Sequence, residues 1–185
     1  MITVPVSLKI TDKSLPEFKN IKALYKKAFP AEERAPFWVL NRNARKEGVD
    51  FWGLYDDKEW VGLAYVISYS NLSYVFYLAI SDQHRGKGYG SDTLRALKER
   101  YDGQKLFLAI EELDETADNY AERVSRKQFY LRGGLTELHC RLREAKVIYE
   151  VLGTGGKVDP EEYKQMMRHY LGSVLSRLVR MEIIP

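Results

Sequence analysis

Thiol and imidazole groups are scarce in this chain. It has one cysteine, Cys140, and three histidines, His84, His139 and His169, in 185 residues. A lone cysteine cannot close an internal disulfide, so a reducing, cytoplasmic setting is expected. These side chains are dispersed along the sequence, and no spacing gathers them round a metal, so none is expected. Cys140 follows His139 directly. Neighbours on a strand face opposite ways, so the two are not expected to pair as nucleophile and base. Long apolar runs are also missing. None approaches the ~20 residues of a membrane-crossing helix. Met1-Ile2-Thr3-Val4-Pro5 has neither a basic n-region nor an apolar h-region, so no secretory signal is expected. An excess of one charge is absent too. The formal net charge is +3, and the signs interleave, as in Arg95, Lys98, Glu99 and Arg100. With no basic stripe, neither nucleic acid nor a membrane is an expected partner. No internal repeat or low-complexity segment occurs.

What is present suits a folded domain with a full core: 45% apolar and 30% charged residues are ordinary for a globular chain. The stretch from Tyr74 to Tyr101 organises the rest. Tyr74-Val75-Phe76-Tyr77-Leu78-Ala79-Ile80 carries no charge and reads as a buried strand. Ser81-Asp82-Gln83-His84 breaks it. Arg85-Gly86-Lys87-Gly88-Tyr89-Gly90-Ser91 follows, and then a helical pattern with Leu94, Leu97 and Tyr101 on one face. A strand, a glycine-rich turn and a helix N-terminus make an anion cradle. Glycine lets backbone N–H groups approach a ligand. The first N–H groups of a helix lack internal partners and carry the positive end of its dipole. A P-loop is excluded, because Lys87 lies between glycines with no hydroxyl residue after it. A dinucleotide fingerprint is excluded as well, because the sixth position is Ser91 or Thr93 instead of glycine.

Upstream, Val4 to Ile10 alternates as a strand. Ser14 and Glu17 have the spacing of a capping box ahead of a helix with Phe18, Ile21, Leu24, Tyr25 and Phe29 on one face. Pro36 to Arg45 reads as a second short helix. Asp50 to Tyr55, Trp60 to Tyr69 and the Tyr74 strand form an antiparallel meander joined by short turns. Downstream, Lys105 to Ile110 is a buried strand. It is expected parallel to Tyr74–Ile80 because a helix intervenes. Asn119 to Tyr130 is helical, and Leu135 to Leu142 with Ala145 to Leu152 forms a hairpin. Asp159-Pro160 starts a helix, and apolar spacing extends it through Val174 and Val179, with Gly172 bending or splitting it. The prediction is an α/β (α+β) fold, with a central, mixed, mostly antiparallel sheet flanked by helices and a C-terminal helical extension. The domain would span 1–152 and the extension 153–185, packed on it.

Arg85-x-x-Gly88-x-Gly90 resembles the Gln/Arg-x-x-Gly-x-Gly/Ala signature of the GNAT superfamily of acyl-CoA-dependent N-acyltransferases. Tyr77-Leu78-Ala79-Ile80 before it and Ser91-Asp92-Thr93-Leu94 after it look like the same family. Gln128-Phe129-Tyr130-Leu131-Arg132-Gly133-Gly134-Leu135 is similar to a second family block, with Leu135 in place of the usual Phe. The resemblance covers roughly Val4 to Leu152. It implies acetyl-CoA as co-substrate, with Arg85, Gly86, Lys87, Gly88, Tyr89, Gly90 and Ser91 on its pyrophosphate. Backbone N–H groups of Leu78, Ala79 and Ile80 would polarise the thioester carbonyl, and the two parallel strands would splay to admit the pantetheine arm. Tyr130 would donate a proton to the leaving thiolate. The usual Asn seven residues before that Tyr is Arg123 here; Asn119, one turn earlier, and Arg126 are the cofactor contacts expected on that helix. Arg123, Arg126, Lys127 and Arg132 either reach the 3′-phosphate or solvate a helix face. An attacking amine must shed a proton. Glu111 is the first candidate base, followed by Glu112, Glu32 and Glu33. Trp38 and Tyr69 are candidates for lining an acceptor pocket. His84 is expected in a solvent-exposed turn, with a phosphate contact as its functional alternative. The implied activity is acetyl transfer to a primary amine of a small molecule or peptide, by a monomer or homodimer. A non-catalytic acyl-CoA sensor is the alternative.

Overall fold

The computed structural model describes residues 6–31, 34–144, 147–173, 175–178 and 181–184. Its elements follow in the order β1 (Ser7–Ile10), α1 (Phe18–Ala28), α2 (Phe37–Asn43), β2 (Val49–Asp56), β3 (Glu59–Tyr69), β4 (Leu72–Ile80), α3 (Tyr89–Arg100), β5 (Lys105–Glu111), α4 (Tyr120–Arg132), β6 (Thr136–Glu144), β7 (Val147–Gly153), α5 (Pro160–Leu171), α6 (Leu175–Leu178) and β8 (Met181–Ile184). The strands form one open, mostly antiparallel sheet, hydrogen-bonded in the order β1-β2-β3-β4-β5-β7-β6-β8. β4 and β5 pair in parallel, with Leu72 opposite Lys105 and Tyr74 opposite Phe107. A parallel pair needs a crossover connection, and the chain through α3 supplies it. The chain divides into two compact units, Met1–Val66 with Phe76–Arg100, and Ile67–Val75 with Tyr101–Pro185.

In the first unit, aromatic rings fix the end of β4. The ring of Tyr77 meets Tyr25 at 5.0 Å and Phe29 at 4.7 Å between centroids, both edge-on. Phe37, Phe51 and Tyr65 extend the cluster. Such tilted pairs contribute about 0.5–1.5 kcal/mol each beyond burial. The hydroxyls are used as well. Tyr25 donates to the Ala35 carbonyl at 2.8 Å, and the Ala35 N–H donates to the Tyr77 hydroxyl at 3.1 Å. One glycine in this unit is required for close approach. A Cβ on Gly62 of β3 would lie 2.4 Å from the Ala79 carbonyl oxygen of β4.

The expected capping box is not formed. Glu17 precedes α1 without a side-chain cap bond. Asp12 instead turns the chain, accepting from the Ser14 N–H at 2.5 Å and from its hydroxyl. An Asx turn offers the backbone an alternative partner and so competes with capping.

In the second unit, Tyr74 stacks on Phe107 at 4.8 Å, and Tyr163 of α5 packs edge-on to both. Met166, Met167 and Tyr170 complete the buried face of α5, and Asp159 caps its start by accepting from the N–H groups of Glu161 and Glu162. The helix stops at Gly172, with φ of 84°. The helical periodicity predicted to run through Val174 and Val179 falls partly outside the described residues. The segment then returns as a strand that the sequence did not announce. β8 pairs antiparallel with β6, with Leu142 opposite Ile183, and Ile183 is buried.

Candidate functional site

The first unit holds the glycine loop. β4 ends at Ile80, a short 3-10 turn spans Asp82–His84, and α3 begins at Tyr89, inside the predicted loop. Gly90 and Ser91 therefore lie in the first helical turn, where N–H groups have no partner one turn back. Gly86 and Gly88 have φ of 76° and 91°, and a Cβ on either would meet nothing within 4 Å. The backbone conformation, not crowding, requires glycine there. The space a side chain would fill stays open to a ligand. This is the form of an anion cradle, and it fits the pyrophosphate of an acyl-CoA. Leu78, Ala79 and Ile80 close β4 immediately before the turn. Arg85 folds back on its own turn, donating from Nε to the Ile80 carbonyl at 3.4 Å and pairing with Asp82 at 3.2 Å. Lys27 of α1 also pairs with Asp82. That bond holds the Asp82 carboxyl below the usual carboxylate range, with Arg85 adding to it. Lys87 is exposed.

His84 does not sit where the sequence put it. It is 6% exposed, with Nδ1 2.6 Å from the Ser81 hydroxyl and Nε2 2.9 Å from a Glu59 carboxylate oxygen. Both ring nitrogens have protein partners, which draw the side chain inward. The Ser81-x-x-His84 spacing carried the local half of this network; Glu59 comes from β3, which no local pattern identifies.

The second unit holds the other candidates. Tyr130, near the end of α4, is 9% exposed, and its ring packs edge-on to Phe129 at 5.0 Å. Burial pushes its phenol up, with the Arg126 charge opposing. The group therefore stays protonated across the neutral range and is suited to donate. Glu111 ends β5. One carboxylate oxygen pairs with Arg123 at 3.1 Å and the other with Arg126 at 2.8 Å. Asn119 donates to Glu111 at 3.4 Å and accepts from Arg123 Nε at 2.8 Å. Asn119, Arg123 and Arg126 thus come together around Glu111. Service as a base would oblige Glu111 to release a guanidinium. Glu112 faces away and pairs with Arg141 at 2.6 Å. Lys127 lies between Glu137 at 2.8 Å and Glu150 at 2.6 Å. Of the cations proposed for the 3′-phosphate, Arg123, Arg126 and Lys127 all hold carboxylates of this unit. Glu32 and Glu33 lie outside the described residues.

Other candidates stand apart. Trp38 is 64% exposed, with the Arg42 guanidinium 5.6 Å from its ring. Tyr69 lies 5.4 Å from the His169 ring. Cys140 is buried and His139 exposed, as strand alternation predicts, although β6 shifts register there and His139 has φ of 51°. Burial pushes the Cys140 thiol up, which leaves it a poor nucleophile. Among the described residues, no group of three His, Cys, Asp or Glu could hold a metal, and no helix is long and apolar enough to cross a membrane.

The acetyltransferase (GNAT) family matches residues 18–125. No match was found among curated proteins. Among solved structures, the chain is similar to a putative GNAT-family acetyltransferase from Bacteroides thetaiotaomicron, with a TM-score of 0.67 and 21% identity over 94% of this chain and 98% of that one. It is also similar to the ribosomal-protein-S18-alanine N-acetyltransferase from Escherichia coli, with a TM-score of 0.59 and 16% identity over 84% and 97%. An aminoglycoside 6′-N-acetyltransferase complexed with coenzyme A gives a TM-score of 0.60 and 15% identity over 83% and 99%. At such identities these structures speak for the fold, while the matched family covers more than half of the sequence and contains the glycine cradle. This chain belongs to the acetyltransferase (GNAT) family.

Proposed function

We propose that the protein is an N-acetyltransferase that passes the acetyl group of acetyl-CoA to a primary amine of a small molecule or peptide. The observation that carries this is the cradle. Two glycines at positive φ open the turn between β4 and the N-terminus of α3, in the Arg85-x-x-Gly88-x-Gly90 pattern. In this reading the N–H groups from Arg85 to Ser91 take the pyrophosphate, and those of Leu78, Ala79 and Ile80 face the thioester carbonyl. Tyr130 gives its proton to the departing thiolate sulfur, which becomes the CoA thiol. Asn119 and Arg126 are assigned to the cofactor side of α4. Glu111 is the candidate to receive the amine proton, directly or through water, when Arg123 and Arg126 give way. Residues 1–152 form the acetyltransferase domain and 153–185 its extension. A cytoplasmic monomer or homodimer, acting on neither nucleic acid nor membrane, completes the proposal.

One observation favours a second reading. Both oxygens of Glu111 are engaged by arginines, which suits an acyl-CoA sensor that lacks a free base. The test is CoA release from acetyl-CoA across polyamines, amino acids, aminoglycosides and peptides near pH 8, with wild type beside Tyr130→Phe. Turnover with one amine class, reduced about 10²–10⁴-fold in the variant, supports the enzyme. Acetyl-CoA binding with no turnover on any amine supports the sensor.

A further inference from the structure

We propose that His84 is a positioning residue. With Tyr89 it clamps both ends of the Arg85–Gly88 loop to the neighbouring strands, and so sets the affinity for acyl-CoA without touching it. This rests on the cradle reading above and extends it to side chains that the motif does not specify.

Two observations converge on the loop. At its start, the buried His84 ring joins Ser81, at the end of β4, to Glu59, at the start of β3. A carboxylate only accepts, so Nε2 carries the proton and donates to Glu59. In the neutral ring Nδ1 then accepts from the Ser81 hydroxyl. Ser81 is itself held to β3, its N–H donating to the Val61 carbonyl at 2.9 Å. At the far end, the Tyr89 hydroxyl donates to Asp56 of β2 at 2.7 Å. The Tyr89 and His84 rings meet edge-on at 5.6 Å. The loop between them has two glycines at positive φ and exposed residues from Arg85 to Gly88. Such a loop loses much conformational freedom when a ligand orders it. Fixing its ends beforehand reduces that loss and raises affinity.

Glu59, His84 and Ser81 have the composition of a hydrolytic triad, but the arrangement argues for support. Ser81 and His84 lie three residues apart on one turn, and the Glu59 side chain is 67% exposed. A carboxylate so hydrated is a weak partner for an imidazolium, while a hydrogen bond suffices to hold a turn.

The test combines calorimetric titration with CoA and hydrogen exchange of the free protein. The variants are His84→Ala, His84→Gln, Glu59→Gln and Tyr89→Phe. The clamp predicts a Kd for CoA about tenfold higher in His84→Ala, partly restored in His84→Gln, and a smaller rise in the other two. In the His84 and Glu59 variants KM for acetyl-CoA should rise with kcat and the amine KM unchanged. Amides 85–88 should exchange faster without any ligand. If His84→Ala does not fold, the milder Glu59→Gln and Tyr89→Phe carry the test. Wild-type Kd and exchange in all folded variants would overturn the clamp, and so would a fall in kcat at constant Kd. If wild type does not bind CoA, the acetyl-CoA reading fails, and the exchange rates alone decide whether the clamp exists.

Discussion

Gly88 shows how one residue can serve geometry without packing. Its φ of 91° is a conformation that side chains rarely adopt, yet nothing stands near the missing Cβ. Gly88→Ala should therefore cost about 1–2 kcal/mol through backbone strain. It should also weaken CoA binding, because relaxing the strain moves the N–H groups. Chemical denaturation and CoA titration of the same sample check both effects. Lys127 makes the opposite case, a charge whose value depends on its partners. Burial lowers its pKa, but Glu137 and Glu150 more than compensate, and the net shift is upward. Glu137 is shifted down, chiefly by its hydrogen bond from Lys127. A depressed carboxyl contributes stability above its unfolded pKa and loses it as pH falls through the folded value. A raised lysine contributes below its unfolded pKa and loses it as pH rises through the folded value. The pair is therefore fully effective across the neutral range. Thermal melts of wild type should show an acid loss beginning near the ordinary carboxylate range. In Lys127→Met that part of the acid loss should be absent, from a lower starting stability.

At the scale of elements, the end of β4 is fixed by tertiary contacts. The ring cluster grips Tyr77, while β3 passes so near that Gly62 has no room for a methyl group. Gly62→Ala forces either strand aside, at a cost of about 1–3 kcal/mol. The displaced group would be the Ala79 carbonyl, within the segment assigned to the thioester. Urea unfolding should show the stability loss, and kcat/KM for acetyl-CoA should fall further than stability alone explains. The strands themselves were legible because β-branched and aromatic runs separated by turn residues have few alternatives. The α1 cap was not, because Asp12 competed for Ser14 within the same turn.

For the whole molecule, a ligand that binds only the folded chain raises its stability by mass action. CoA at about a hundred times its Kd should add about 2.7 kcal/mol, read as a rise in Tm by differential scanning fluorimetry. An unchanged Tm at that excess would count against the cradle. β8 is the last strand of the sheet on its side, four residues whose pairing with β6 has no helix-like or strand-like period long enough to be read in advance.

The amino-acid sequence by itself determined the family, the order of strands and helices as far as α5, the parallel pairing of β4 and β5, and the glycine-rich turn between β4 and α3. Each of these depends on local chemistry: glycine at positive φ, side-chain period, and the helix needed to reverse direction. Tertiary structure alone decided which charges are free. Glu111, Arg123, Arg126 and Lys127 look like available catalytic or phosphate groups in one dimension, but the fold pairs Glu111 with Arg123 and Arg126, and Lys127 with Glu137 and Glu150. It likewise buried His84 against a carboxylate 25 residues away. Coulomb attraction and hydrogen bonding act over a few ångströms in space, and sequence separation does not measure that distance.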